Sequence, residues 1–344
     1  MKRFWNLTAF WALTGICAAS PGPPSKVYVT YLGGLYSDTI SGMAVDSSGS
    51  QYVAGSTASP DFPLTSTALG APSESSGCAF VTKFNPMGAA IMFSICVANW
   101  TTLAFGMDAS NNLYLTVTQS VLRGESYAVL KLDPSGHHIL YNTPIGAATP
   151  DSMAVDASGN VYLAGSAGPG FVTTRGAYQP QLSPGMNCKY GTPCPNAFAM
   201  KLAPSGALVW ATYLGGSGGD DAHAIAVDRS GNVWIVGETV SPNFPVTPGA
   251  FDSSFGGEVD FGKQYGDAFV SKLDPTGSKL LYSTYLGGSA PDGAFAVAVD
   301  AAGSASVAGG TSSANFPTTP GALQTTYSGS SNPECPTLAR ETPS

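Results

Sequence analysis

One block of sequence returns along this chain, and that repetition limits the fold more than any other feature. In its fullest form it runs Tyr213-Leu214-Gly215-Gly216, Ala226-Val227-Asp228, Gly231-Asn232, Gly237-Glu238-Thr239, Asn243-Phe244-Pro245, Pro248-Gly249-Ala250 and Ala268-Phe269-Val270-Ser271-Lys272-Leu273-Asp274-Pro275-Thr276-Gly277. Tyr285-Leu286-Gly287-Gly288 then begins it again. The Asp of Ala-Val-Asp recurs at Asp46, Asp108, Asp156, Asp228 and Asp300, in steps of 62, 48, 72 and 72 residues. The Lys of the second signature recurs at Lys83, Lys131, Lys201 and Lys272, in steps of 48, 70 and 71. The short second copy lacks the Phe-Pro and Pro-Gly-Ala arm, so length varies in one connection, as on a fixed scaffold with a variable surface loop. A period of this size, built from short apolar runs and glycine turns, predicts an array of small sheets.

Each unit reads as four strands. In the fourth copy these are Ala224–Asp228, Val233–Gly237, Ala268–Leu273 and Lys279–Leu286, all short and rich in β-branched or aromatic residues. No segment after the leader has a sustained helical period. Asp228-Arg229-Ser230-Gly231-Asn232 joins the first two strands; Asp bonds the backbone ahead of it and Gly accepts positive φ, so a tight hairpin follows. Asp274-Pro275-Thr276-Gly277 does the same between the third and fourth. The arm between strands two and three carries Asn-Phe-Pro and Pro-Gly-Ala and should be extended loop, because proline cannot donate to a ladder.

Tandem four-stranded units are what a β-propeller requires. The signatures Tyr-Leu-Gly-Gly, Ala-Val-Asp-x-x-Gly-Asn, Asn-Phe-Pro and Ala-Phe-Val-x-Lys-Leu-Asp-Pro-x-Gly resemble the bacterial SBBP repeat over roughly residues 27–325. That resemblance implies a β-propeller of a secreted or cell-surface protein. The reading is an all-β propeller of about five four-stranded blades, with units at about 27–96, 97–146, 147–212, 213–284 and 285–344. Residues 26–34 match Lys279–Gly288, a fourth strand with no blade before it, whereas the last copy lacks the Lys-Leu-Asp-Pro turn. The expectation is a composite last blade closed by the N-terminal strand, which removes exposed edges. The rival is an open propeller completed by a partner.

The ends and composition point outside the cell. Lys2 and Arg3 precede an apolar run over residues 4–19, read as a signal peptide spanning 1–19. It is too short and interrupted for a membrane span. The net charge of −8 and the lack of a Lys/Arg cluster exclude nucleic acid as a partner. Charged residues make up only 10% of the chain, with Ser, Thr, Asn and Gly in their place. Cys188 and Cys194 flank a short loop and are read as a disulfide, with a metal site as the alternative. Cys78 and Cys96 straddle the Asn85–Gly88 turn; pairing Phe84 with Ala90 sets them opposite each other, within disulfide reach.

No residue pattern in the sequence supports a catalytic assignment. Gly215-Gly216-Ser217-Gly218-Gly219 fits a nucleophile-elbow pattern but sits at a repeat junction, not a strand-to-helix turn. His137 and His138 follow a turn, and His223 lies just before a first strand beside acids. Asp38, Asp220 and Asp292 each stand eight residues before the signature Asp. Gathered at one mouth of a channel they would offer oxygen ligands for Ca²⁺, the one cofactor the sequence suggests; the plainer reading is that each orders its own turn. The aromatics Tyr31, Tyr213, Tyr285, Phe62, Phe244 and Phe316 recur in register and are expected to pack between blades, with sugar stacking as the alternative. The function expected is a monomeric, secreted, periplasmic or cell-surface binding or structural module for an extracellular protein or glycan. Its arms 57–79, 166–197 and 239–267 are candidate contact surfaces. The alternative is a propeller hydrolase or lyase acting on a carbohydrate or lactone through carboxylates at the channel mouth.

Overall fold

The computed structural model describes residues 28–65, 69, 77–121, 124–185, 193–257, 259–260, 263–264 and 266–329. The leader, Cys188 and the C-terminal tail fall outside that set. No helix occurs among the described residues. Four antiparallel four-stranded sheets follow one another, in the manner of propeller blades. The first holds β1 (Asp38–Val45), β2 (Gln51–Thr57), β3 (Cys78–Phe84) and β4 (Ile91–Ala98). The second holds β5 (Thr101–Met107), β6 (Leu113–Val121), β7 (Gly124–Leu132) and β8 (Ile139–Pro144). The third holds β9 (Ala148–Val155), β10 (Val161–Ala167), β11 (Asn196–Leu202) and β12 (Leu208–Leu214). In the fourth, β13 (Asp220–Val227) and β14 (Val233–Thr239) are separated by a small ribbon, β15 (Val259–Asp260) with β16 (Lys263–Gln264), from β17 (Asp267–Leu273) and β18 (Leu280–Leu286). A two-stranded sheet ends the series, β19 (Asp292–Val299) with β20 (Ala305–Thr311).

The chain groups into two compact units, one up to Leu163 with Met200–Val209 and Ala298–Ala305, the other from the remaining segments. In the first, β1 lies beside β5 and β5 beside β9. First strands therefore neighbour first strands, with Tyr52, Val81, Ile95, Leu115 and Leu130 in a shared core. In the second, Ala224, Val236, Val270 and Ala294 form the corresponding core.

Both hairpins follow from their turn residues. Asp46, Asp108, Asp156, Asp228 and Asp300 each accept the amide of the residue two ahead and again four ahead through Oδ1. The glycine position has φ near 80° in four copies, as at Gly231 (81°); the second copy places Asn111 there at 62°, the one common side chain that tolerates this region. The described Phe-Pro stretch of the arm is extended loop, as expected, although the fourth arm also carries the β15–β16 ribbon. It returns along the fourth strand of its own sheet, where Thr65, Thr174 and Thr247 donate their amides to Ser94, Ala211 and Ser283. It thereby covers an edge that would otherwise be free to pair.

Three expectations need correction. The first strand begins at the acidic residue itself, four residues earlier than read, because a bulge at His223 breaks the alternation that marks a strand. Cys78 faces Ala98, not Cys96: the turn sets Phe84 against Ile91 instead of Ala90, a bulge between Lys83 and Phe84 adds one residue more, and Phe80 stands opposite Cys96. The disulfide between Cys78 and Cys96 still forms, diagonally on one face, with Cα atoms 5.7 Å apart. Residues 28–34, expected as the closing strand, join no ladder. They nevertheless take a fourth-strand role towards the first sheet. Tyr28 lies on Gly88 of the β3–β4 turn and bonds Gln51, as Phe93 lies on Gly136, Tyr141 on Gly206 and Trp210 on Gly277.

Candidate functional site

The polar residues of the repeat gather in two kinds of place. One is the turn between the first two strands. There the strand-three lysine reaches back to the turn aspartate over an aromatic ring. Lys83 stands 3.0 Å from Asp46 and 4.7 Å from the Tyr52 ring centroid; Lys272 stands 3.0 Å from Asp228 and 4.8 Å from that of Trp234. Lys131 and Lys201 cover Tyr114 and Tyr162 in the same way, at 5.0 Å each. The tyrosine hydroxyls donate to Asp46, Asp108 and Asp156. Burial pushes the Asp46 carboxyl up, but Ser48, Lys83 and Ser50 outweigh it and hold the group well below the usual carboxylate range. Two signatures far apart in sequence thus form one assembly, and its charges satisfy each other.

The other place is the Gly-Gly junction between blades. Three successive amides point into three acceptors. Gly216 donates to Asp220 Oδ2 (2.8 Å), Ser217 to Asn243 Oδ1 (2.8 Å) and Gly218 to Ser241 Oγ (2.7 Å). The same clasp is made by Gly34, Leu35 and Tyr36 on Asp38, Asp61 and Ser59. It recurs where Gly288, Ser289 and Ala290 meet Asp292, Asn315 and Ser313. Glycine is required because a Cβ on Gly216 would stand 2.6 Å from Asn243 Oδ1. Thr239, Ser241 and Asn243 form a Thr-x-Ser-x-Asn-Phe-Pro string that repeats from Thr311, and from Thr57 with Asp61 in place of the Asn. The sequence reading missed the Ser and Asn partners, which that fixed spacing could have revealed.

Asp38, Asp220 and Asp292 therefore each hold a junction together. Thr239 also donates to Asp220. Burial raises the Asp220 carboxyl to about 6 despite its hydrogen bonds. Among the described residues no group of three or more His, Cys, Asp or Glu is placed to hold a metal ion. Ser217 of the elbow-like string bonds Asn243 at 2.8 Å, within the clasp. His223 lies inside the first strand, in the bulge, 3.8 Å from Glu238 and 5.2 Å from the Phe295 ring. His138 bonds Asp133 at 3.2 Å on the surface. Cys194 is disulfide-bonded.

The recurrent aromatics pack within blades, not between them. Phe62, Phe171 and Phe244 of the arms lie on Phe80, Phe198 and Phe269 of the third strands, at 4.5, 5.0 and 4.6 Å. They are buried, and so are Tyr213 and Tyr285, whereas Tyr31 is exposed.

A depression of about 420 Å³ opens where the first strands of the first three blades end. Val45, Met107 and Val155 line it, followed by the turn residues Asp46-Ser47, Asp108-Ala109 and Asp156-Ala157. This is the opposite end of the first strands from Asp38, the mouth favoured by the sequence. Nothing in the linear pattern marks it.

The comparisons with known proteins agree with this geometry. The family described as beta-propeller repeat, SBBP, matches residues 27–63 and 209–245. Over those two stretches the chain is similar to the SBBP repeat. The second match spans all of one clasp, from Gly216 and Asp220 to Ser241 and Asn243. The family's repeat thus covers the junction between blades as well as strands. No curated protein matches the chain.

Proposed function

We propose that this protein is a binding or structural module of the cell exterior that takes its ligand in the depression formed by Val45, Met107 and Val155. The observation that carries the reading is how the repeat uses its polar side chains. The carboxylates and lysines that chemistry would need are bonded to one another or to backbone amides. The depression combines apolar side chains with turn backbone and is sized for a small molecule or the end of a chain. Its acidic groups are turned to their own turns, which favours an uncharged ligand such as a glycan over a cationic one. The Cys78–Cys96 disulfide suits an oxidising compartment.

A glycan and cell-wall polymer array tests this with wild type and Met107→Glu. Met107 is partly exposed and packs on the core from the side of the depression, so Met107→Gln, which keeps its length, is measured beside it as the control for packing. Wild type should bind a neutral glycan, and Met107→Glu should lose at least about tenfold in affinity at an unchanged melting temperature. Equal binding by both proteins would place the ligand elsewhere. Turnover of any bound sugar would favour an enzyme.

A further inference from the structure

The residue five places before the third-strand lysine differs in each of the four blades: Cys78, Ser126, Asn196 and Asp267. In the third blade Asn196 faces Gly215 together with Asp220. In the fourth, Asp267 faces Gly287 together with Asp292. A Cβ on Gly287 would lie under 3.0 Å from both Asp267 Oδ1 and Asp292 Oδ2. Two carboxylates thus share one small space. They are only 1% and 4% exposed. Asp267 Oδ2 accepts Gly256 N–H at 2.7 Å, and Asp292 Oδ2 accepts Gly288 N–H and Ser313 Oγ, each at 2.7 Å. The Oδ1 atom of each is buried without a partner. Among the described side chains no Lys, Arg or His forms an ion pair with either.

Like charges at this depth repel each other and have lost their water. Buried charges in proteins are paired or coordinate metals. We propose that Asp267 and Asp292 hold a hard divalent cation, Ca²⁺ by its ligand chemistry, at the junction of β18 and β19. Carboxylate oxygens are its preferred ligands, with water and main-chain carbonyls completing the shell. The blade before provides the control: with Asn196 in place of the second acid, its junction carries one charge.

The test uses the full chain and Ca²⁺ itself. Equilibrium dialysis at about 1 mM Ca²⁺, the range of extracellular sites, should find one ion per chain in wild type and none in Asp267→Asn. Asp267→Asn reproduces the arrangement of the third blade, so it should fold. Ca²⁺ should raise the wild-type melting temperature by a few degrees over EDTA and leave Asp267→Asn unmoved. Terbium luminescence provides a second readout, because Tyr285 lies close enough to Asp267 to feel its charge. It should be sensitised in wild type and lost in the variant. Wild type that takes up no Ca²⁺ holds a shared proton instead, and the proposal falls. Equal uptake by wild type and Asp267→Asn also overturns it, by placing the ion elsewhere.

Discussion

Replacing Asp228 by alanine tests the turn assembly most sharply. Its carboxylate accepts the amides of Ser230 and Asn232 at 2.9 Å each and the Asn232 side chain at 2.7 Å, and pairs with Lys272 at 3.0 Å. The side chain is 5% exposed and that of Lys272 19%. Removing one partner of a buried pair costs about 3–5 kcal/mol. Water reaches Lys272 in part, so the lower end applies, about 3 kcal/mol. Asp228→Asn keeps an acceptor for the two amides and should lose only about 1 kcal/mol. Urea unfolding followed by tryptophan fluorescence reads both, with Trp234 beside the site as a reporter.

The same series has a pH signature. Burial alone would raise the Asp228 carboxyl, but Asn232 and Lys272 hold it below its ordinary 3.8. A depressed carboxylate stabilises the fold above 3.8 and loses that contribution as pH falls through the folded value. The gap between wild type and Asp228→Ala should therefore close on acidification below pH 3.8. A deficit under about 1 kcal/mol at neutral pH, or one that does not shrink in acid, would refute the reasoning.

Three further outcomes are expected. Gly277→Ala should cost more than about 2 kcal/mol, because φ is 65° and the new Cβ would stand 2.5 Å from the Trp210 ring; Gly249→Ala, at φ 81° but in open space, should cost about 1 kcal/mol in the same urea assay. Loss of the Cys78–Cys96 bridge, which closes a separation of 18 residues, should remove about 3 kcal/mol, read as a lower urea midpoint after reduction. Asp220 runs opposite to the turn aspartates: its folded value is raised from 3.8 to about 6, so its contribution is full below 3.8 and lost as pH rises through 6. Calorimetry in EDTA should therefore show the melting temperature declining from pH 5 to pH 7, within the window set by that shift; a rise across that range would contradict the assignment.

Strands and turns were legible because their chemistry is local. Asp at a turn start and Gly at positive φ need no distant partner to be read. The second to fourth strands fall within two residues of their expected bounds in the fourth blade. What failed depended on bulges and long-range packing. A one-residue bulge at His223 hides the start of a strand, and another beside Lys83, added to a turn that sets Phe84 against Ile91, moves Cys96 by two places. The arm phenylalanines were placed between blades because periodicity reports recurrence and not direction. Asp267 was invisible for a different reason. Its position carries four different residues in four blades, so no repeat points to it. The depression gathers strand ends of three blades, which only folding brings together.

The account rests on the claim that the recurrent polar residues are scaffold, with the Gly-Gly junctions locked from three sides. Hydrogen exchange at the amides of Gly216, Ser217 and Gly218 tests it directly. They should be protected as strongly as the ladder amides of β13 and β14. Exchange at the rate of an open glycine loop would contradict the clasp and release Asp220, Ser241 and Asn243 for other work.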